Sequence, residues 1–241
     1  KDAGTFSFCN PTKVTGGKSV ENRECIESRQ TASIHSDAID VRYNDGGLGD
    51  VSGIIRWELP KDELTMLGVH RTFRSNAGVA NNLMSQTAQE SMNLTAGLMS
   101  SEESYAEKRE EFRSYAKTQT GSYTFATEQE TVCEENAAGN TECREVASIK
   151  RDVDGNIIVS AVSPIKENHI QLTQFTVKKW DFEPKTLEQI SKKREATMAI
   201  ITAKADAEAA KQVAITAAET GKANVVKAQY EKEVIKVQAV V

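Results

Sequence analysis

The chain lacks the features that most directly announce a function. No stretch reaches the roughly 18 consecutive apolar residues of a transmembrane helix, and no segment has the layout of a signal peptide. An excess of positive charge is missing too: 30 Lys and Arg face 35 Asp and Glu, a net charge of −5, which argues against nucleic acid as the main partner. No G-x-S-x-G elbow, H-E-x-x-H, phosphate-binding loop or dinucleotide fingerprint is present. The three histidines, His35, His70 and His169, are far apart, and none has a metal-ligand partner at helical or hairpin spacing. Without a CxxC or a Cys/His cluster, zinc has no evident ligand set. The expectation is a non-enzyme without cofactor or metal, although a catalytic site assembled from distant segments stays open. An initiator methionine is also missing and the chain stops at Val241 inside a helical pattern, so it is expected to be part of something longer.

The other conspicuous shortage is of helix breakers in the last quarter. After Pro184 there is no proline and one glycine, Gly221, while thirteen of the 57 residues from Lys185 are alanine. Pro184 and Thr186 carry a helix-start signal, with Gln189 placed to complete a capping box. At about 1.5 Å per residue such a helix runs on the order of 85 Å, too long to bury its apolar face on a small domain. Its large apolar residues recur at eleven-residue steps: Ile190 and Ile201; Ile215, Val226 and Val237; and, in a second row, Leu187, Met198 and Ala209. Eleven residues make nearly three whole turns, so each row stays on one side of a nearly straight or slightly right-handed helix. These rows are candidate packing surfaces for neighbouring helices. The bland alternative is a solvated single helix held by pairs such as Glu188–Lys192 and Glu208–Gln212.

With 39% hydrophobic and 27% charged residues, the remainder has the composition of a folded domain. The fold class expected is α+β, a mixed strand and helix head followed by the long alanine-rich, coiled-coil-like helix. Three segments are expected: a strand-and-loop segment at 1–36 with no clear assignment, a head at 37–183, and an oligomerising helix at 184–241 that continues past the end. Residues 1–60 read as strands and loops, with Asn44 to Asp50 (NDGGLGD) as hairpin-turn material. Residues 62–118 read as helical. There Ser101 is placed to cap a helix, and Tyr105, Arg109, Phe112 and Tyr115 recur at the spacing of a core-facing stripe. Beyond Gly121 strands return, with a turn at Val153–Asn156 whose Asp152, Asp154 and Asn156 lack the glycine position and final glutamate of a calcium loop. The last strand places Ile170 and Leu172 on one face, with Phe175 and Val177 in the other register.

All four cysteines lie outside the helix. Cys133 and Cys143 bracket a turn-rich loop between strand-like stretches, and Cys9 and Cys25 bracket Thr15-Gly16-Gly17. This pairwise placement suggests two local disulfides and an oxidising compartment, the alternative being four reduced thiols near turns.

The order of these elements, with SSEESYAEKREEFRSYA, a hairpin region, a strand ending KKWDFEP and then KREATMAIITAKADAEAAKQVAITAAETGKA, resembles the SPFH (band 7) family of stomatins, prohibitins, flotillins and bacterial HflK and HflC. The resemblance covers most of 37–241 and is most specific at Pro184 to Lys211. The NDGGLGD turn and the cysteine-bracketed hairpin depart from the family pattern. The resemblance implies a homo-oligomer, or a hetero-oligomer with a related chain, whose heads lie against membrane lipid and whose helices wall a ring or dome. Such an assembly scaffolds a membrane microdomain or encloses a membrane protease. Its location would be an oxidising, extracytoplasmic membrane face, with an anchor upstream of Lys1. From outside the family, a trimeric coiled-coil stalk competes with this expectation.

Overall fold

The computed structural model describes residues 3–15, 18–135 and 141–238. They form eleven strands and eight α-helices: β1 (Ala3–Phe8), β2 (Thr12–Thr15), β3 (Lys18–Glu21), α1 (Arg23–Thr31), β4 (Ile34–Ser36), β5 (Ile39–Arg42), β6 (Leu48–Glu58), α2 (Glu63–Phe73), α3 (Asn76–Val79), α4 (Ser85–Ala96), α5 (Ser101–Tyr105), α6 (Arg109–Gly121), β7 (Tyr123–Phe125), β8 (Thr127–Glu135), β9 (Thr141–Ile149), β10 (Val159–Val162), α7 (Pro164–Glu167), β11 (Gln171–Phe182) and α8 (Pro184–Gln238). A π-helical turn, Ala80–Met84, joins α3 to α4. The class is α+β. One compact unit holds the described residues up to Ile190, and a second begins at Ser191.

β6 is the spine of the first unit. Along one edge it pairs antiparallel with β11; along the other it pairs first with β5 and then with β1, which in turn carries β4 in parallel. Of the described residues before Asp37, β1 and β4 are thus strands of the main sheet, while β2 and β3 pair with each other. Alternation along β6 sends Val51, Gly53, Ile55 and Trp57 to one face, where all four are buried. Large residues sit opposite glycines. Trp57 faces Gly4, and Phe8 faces Gly53, so ring volume on one strand fills the space left on the next. Against this face pack Met84, Ala88 and Met92 of the π-turn and α4, and Phe112 and Ala116 of α6.

β11 corrects the expected split of its apolar residues between two faces. Register shifts between Leu172 and Gln174 and between Val177 and Lys179 act as bulges. They bring Leu172, Phe175, Val177, Trp180 and Phe182 opposite Trp57, Ile55, Gly53, Val51 and Gly49, all on the core side. Spacings of three and two residues, which look like a broken alternation, are one face.

Two further expectations need correction. Residues 1–60 contain a helix, α1, capped by the Asn22 side chain, which accepts from the Cys25 N–H. The helix expected to begin at Ser101 is capped by Ser100 instead: its hydroxyl accepts from the Glu103 N–H while the Glu103 carboxylate accepts from the Ser100 N–H. That helix is also interrupted after Tyr105, so Tyr105 is half exposed while Phe112 is fully buried. A buried polar cluster ties the helical layer to the strands. The Gln119 amide donates to Thr95 Oγ1 at 2.8 Å and accepts from the Phe125 N–H at 3.3 Å.

Both cysteine pairs are bonded. Cys9–Cys25 links the end of β1 to α1, with both residues buried. Cys133–Cys143 joins directly opposed residues of the β8–β9 hairpin. The turn expected at Val153–Asn156 is closed by Asp152, whose carboxylate accepts from the N–H groups of Asp154 and Asn156. Those bonds hold its carboxyl below the usual carboxylate range.

Candidate assembly surface

α8 grows out of a defined socket. Gly46, with φ of 77°, closes the Asn44–Gly47 turn, and the Asp45 carboxylate fixes what surrounds it. One of its oxygens accepts from the Gly47 N–H at 2.9 Å, and the other from the N–H and hydroxyl of Ser101 at 2.9 and 2.7 Å. Thr186 does not cap α8 as expected. It lies inside the first turn, almost fully buried, and its hydroxyl accepts from the Leu48 N–H at 3.0 Å. Pro184 occupies the start, where its missing N–H costs nothing. Phe182 meets the rings of Tyr43 and Tyr105 at centroid distances of 5.6 and 6.0 Å. The glycine-bearing turn, α5 and the first turn of α8 therefore form one hydrogen-bonded joint.

From Ser191 to Lys232 the helix buries almost nothing of itself. Every residue there is exposed except Ile200, which is intermediate. Of the residues expected to carry assembly, Leu187 is 51% exposed, Met198 59%, Ile201 54%, Ile215 44% and Val226 48%, while Ile190 is intermediate. The side chain of Val237 lies outside those described. At about 100° per residue, Ile190, Ile201, Ile215 and Val226 fall within a sector of about 40°, and Leu187 and Met198 widen it to about 100°. Tyr230, 66% exposed and four residues beyond Val226, falls in the same sector. The eleven-residue rows miss it because its step is i+4. Val213 and Val225 are also exposed but point away from the sector.

The stripe is not continuous. By the same angular count Glu208 and Glu219 lie inside the sector, and Glu208 is engaged by the Gln212 amide at 3.2 Å. A dry seam along the whole length would bury two carboxylates, at a cost of several kcal/mol each. The arrangement suits three apolar patches, around Met198 and Ile201, around Ile215, and around Val226 and Tyr230, separated by wet intervals at Glu208 and Glu219.

No protein-family model, curated protein or solved structure matches this chain. Its own geometry carries the reading. Elsewhere in the first unit, an open groove of about 590 Å³ lies between α6 and the β8–β9 hairpin, lined by Lys108, Glu111, Tyr115, Glu128 and Arg151 among others. Burial alone would raise the Glu103 carboxyl beside it, but hydrogen bonds from Lys108 and Ser100 hold it below its ordinary value. The Lys108 ammonium is held above its own by the same contact, at 2.7 Å. Of the lining, Lys108 is thus held in an ion pair and Arg151 donates to the Gly155 carbonyl. Among the described residues no group of three His, Cys, Asp or Glu could hold a metal ion, and no helix is long and apolar enough to cross a membrane.

Proposed function

We propose that the chain is a non-enzymatic, membrane-associated scaffold that assembles into a large ring or cage and organises a membrane microdomain. Lateral contacts between the α+β units and packing between copies of α8 would hold the assembly together. One observation carries this: a helix of 55 residues keeps Met198, Ile201, Ile215, Val226 and Tyr230 on one side, about half or more exposed. An isolated helix gains too little from propensity alone to justify that apolar load, and packing of an apolar face is the usual source of helical stability. The resemblance to SPFH proteins in element order and in the Pro184–Lys211 junction supports the membrane part. The two disulfides are compatible with an oxidising compartment and favour an extracytoplasmic face. A slender trimeric stalk fits less well, because Glu208 and Glu219 interrupt the core it would need.

The test is the double substitution Ile201→Lys and Val226→Lys. Each site has roughly half its side chain left to bury, worth about 1 to 1.5 kcal/mol per residue per contact, and each lysine adds a desolvation penalty. The variant should leave size-exclusion chromatography as a small species of unchanged helical content. An unchanged large particle would remove α8 packing from the account.

A further inference from the structure

α2 is apolar on two sides, and only one of them is used. Val69 is buried, and Met66 and Phe73 beside it are partly so. On the opposite side Leu64 is 80% exposed and Leu67 44% exposed. Leu64, Leu67, Gly68 and Arg71 follow the i, i+3, i+4, i+7 pattern of a single helical face. Gly68 belongs to that face in space as well as in sequence, since a Cβ placed there meets no atom within 4 Å.

The charge around this face runs against that of the chain. Lys61, Arg71 and Arg74 are exposed, and none of them takes part in an ion pair among the described residues. Two acids lie beside them: Glu63, exposed in the first turn, and Asp62, whose carboxylate accepts from the N–H and hydroxyl of Thr65 at 2.8 and 2.6 Å. Three cations against two carboxylates leave the helix a local charge of +1. The protein as a whole carries a net charge of −5, so a basic rim about two protruding leucines is a local departure. Its place in the sheet is also distinct. α2 follows the Glu58 end of β6, whereas the opposite end, at Leu48, holds Thr186 in the first turn of α8.

We propose that the outward face of α2, Leu64, Leu67 and Arg71 rimmed by Lys61 and Arg74, is a lipid-contact surface that seats the α+β unit on an anionic bilayer. This rests on the membrane-associated reading above and names the element that makes the contact. The leucines enter the boundary between headgroups and acyl chains while the guanidinium and ammonium groups meet lipid phosphates. A short helix with two leucines binds weakly by itself, and repetition around a many-copy assembly multiplies it.

The experiment is flotation of the purified chain with phosphatidylcholine vesicles and with vesicles enriched in phosphatidylglycerol, with particle size followed by light scattering. The native chain should float at least about tenfold better with the anionic vesicles. Gly68→Glu, which enters open space, and Leu64→Gln with Leu67→Gln should each lower that flotation about tenfold. Arg71→Glu with Arg74→Glu should abolish the preference for anionic lipid, and Gly68→Ala should keep it. Particle size should not change in any of them. Variants that float like the native chain overturn the proposal, as do variants that shrink the particle without lipid, which would make this face a contact between copies. A chain that assembles but never floats removes the lipid face and leaves helix assembly standing. One that floats through α2 but stays monomeric does the reverse.

Discussion

The two disulfides close loops of similar size, with sequence separations of 16 and 10, yet their removal should have different consequences. Chain entropy assigns each about 3 kcal/mol. Cys9–Cys25 is buried and joins β1, a strand of the main sheet, to α1. Its surroundings are interlocked: Ser7 and Ser28 hydroxyls meet at 2.8 Å, and Arg29 donates to the carbonyls of Cys9 and Ser36 at 2.5 and 2.9 Å. Losing this bridge should therefore lower global stability by about 3 kcal/mol or more. Cys133–Cys143 is exposed, and among the described residues β8 and β9 form a sheet only with each other. A lone two-stranded hairpin is marginal in water, so the bridge sustains the hairpin and little else. Cys133→Ser with Cys143→Ser should leave the unfolding free energy of the first unit, read by chemical denaturation, within about 0.5 kcal/mol of native. Amide exchange in Thr127–Val132 and Arg144–Ile149 should accelerate by up to about a hundredfold, the equivalent of the lost 3 kcal/mol. Cys9→Ala with Cys25→Ala should show the reverse pattern. Equal losses of global stability in both variants, or hairpin exchange indifferent to its bridge, would refute the reasoning.

Three further outcomes follow from the packing. Gly4→Ala places a Cβ 2.2 Å from Cζ2 of the fully buried Trp57 and should cost about 1 to 3 kcal/mol in chemical denaturation. Gln119→Leu takes the side-chain acceptor from the Phe125 N–H and the amide donor from Thr95 Oγ1, which still donates to the Ser91 carbonyl, and should cost about 1 to 3 kcal/mol by the same measurement. Asp50 lies across the ladder from Asp40 on one side and Asp181 on the other; burial and then Asp40 push its carboxyl above the ordinary 3.8, against the Asn10 amide that donates to it. A raised folded value means the native state holds the proton more tightly. This contribution to stability is complete below 3.8 and is lost as pH rises through the raised value. Asp50→Asn should accordingly raise the thermal midpoint at neutral pH by a modest amount, and the gain should vanish below pH 3.8. A gain that persists in acid would discard the electrostatic cause.

What could be read in the sequence was whatever depends on one segment at a time. α8 announced itself by alanine content and the absence of breakers, and the cysteine pairs by their placement around turns. What depended on pairing between segments was hidden. The bulges of β11 split its apolar residues into apparently opposed registers, and only the alignment with β6 returns Phe175 and Trp180 to the face of Ile55 and Val51. α1 escaped because RECIESRQT carries almost no apolar period; it is held by its cap and by Cys25. Thr186 looked like a cap because its partner, Leu48, is 138 residues away. The same limit hid the outward face of α2. Leu64 and Leu67 are as apolar as Met66 and Val69, and nothing local says which pair the sheet will cover. Along α8, the eleven-residue rows found five large apolar residues that are exposed at the surface but passed over Tyr230 and the interruption by Glu208 and Glu219.

The central claim is that copies of this chain close into a many-copy particle through α8. Electron microscopy of the protein isolated gently, without detergent stripping, from the cells that make it tests it most directly. The account predicts rings or cages of many copies in which helices pack side by side and the α+β units lie at the lipid. A monomer, or a slender particle of three copies with no lipid attached, would contradict it.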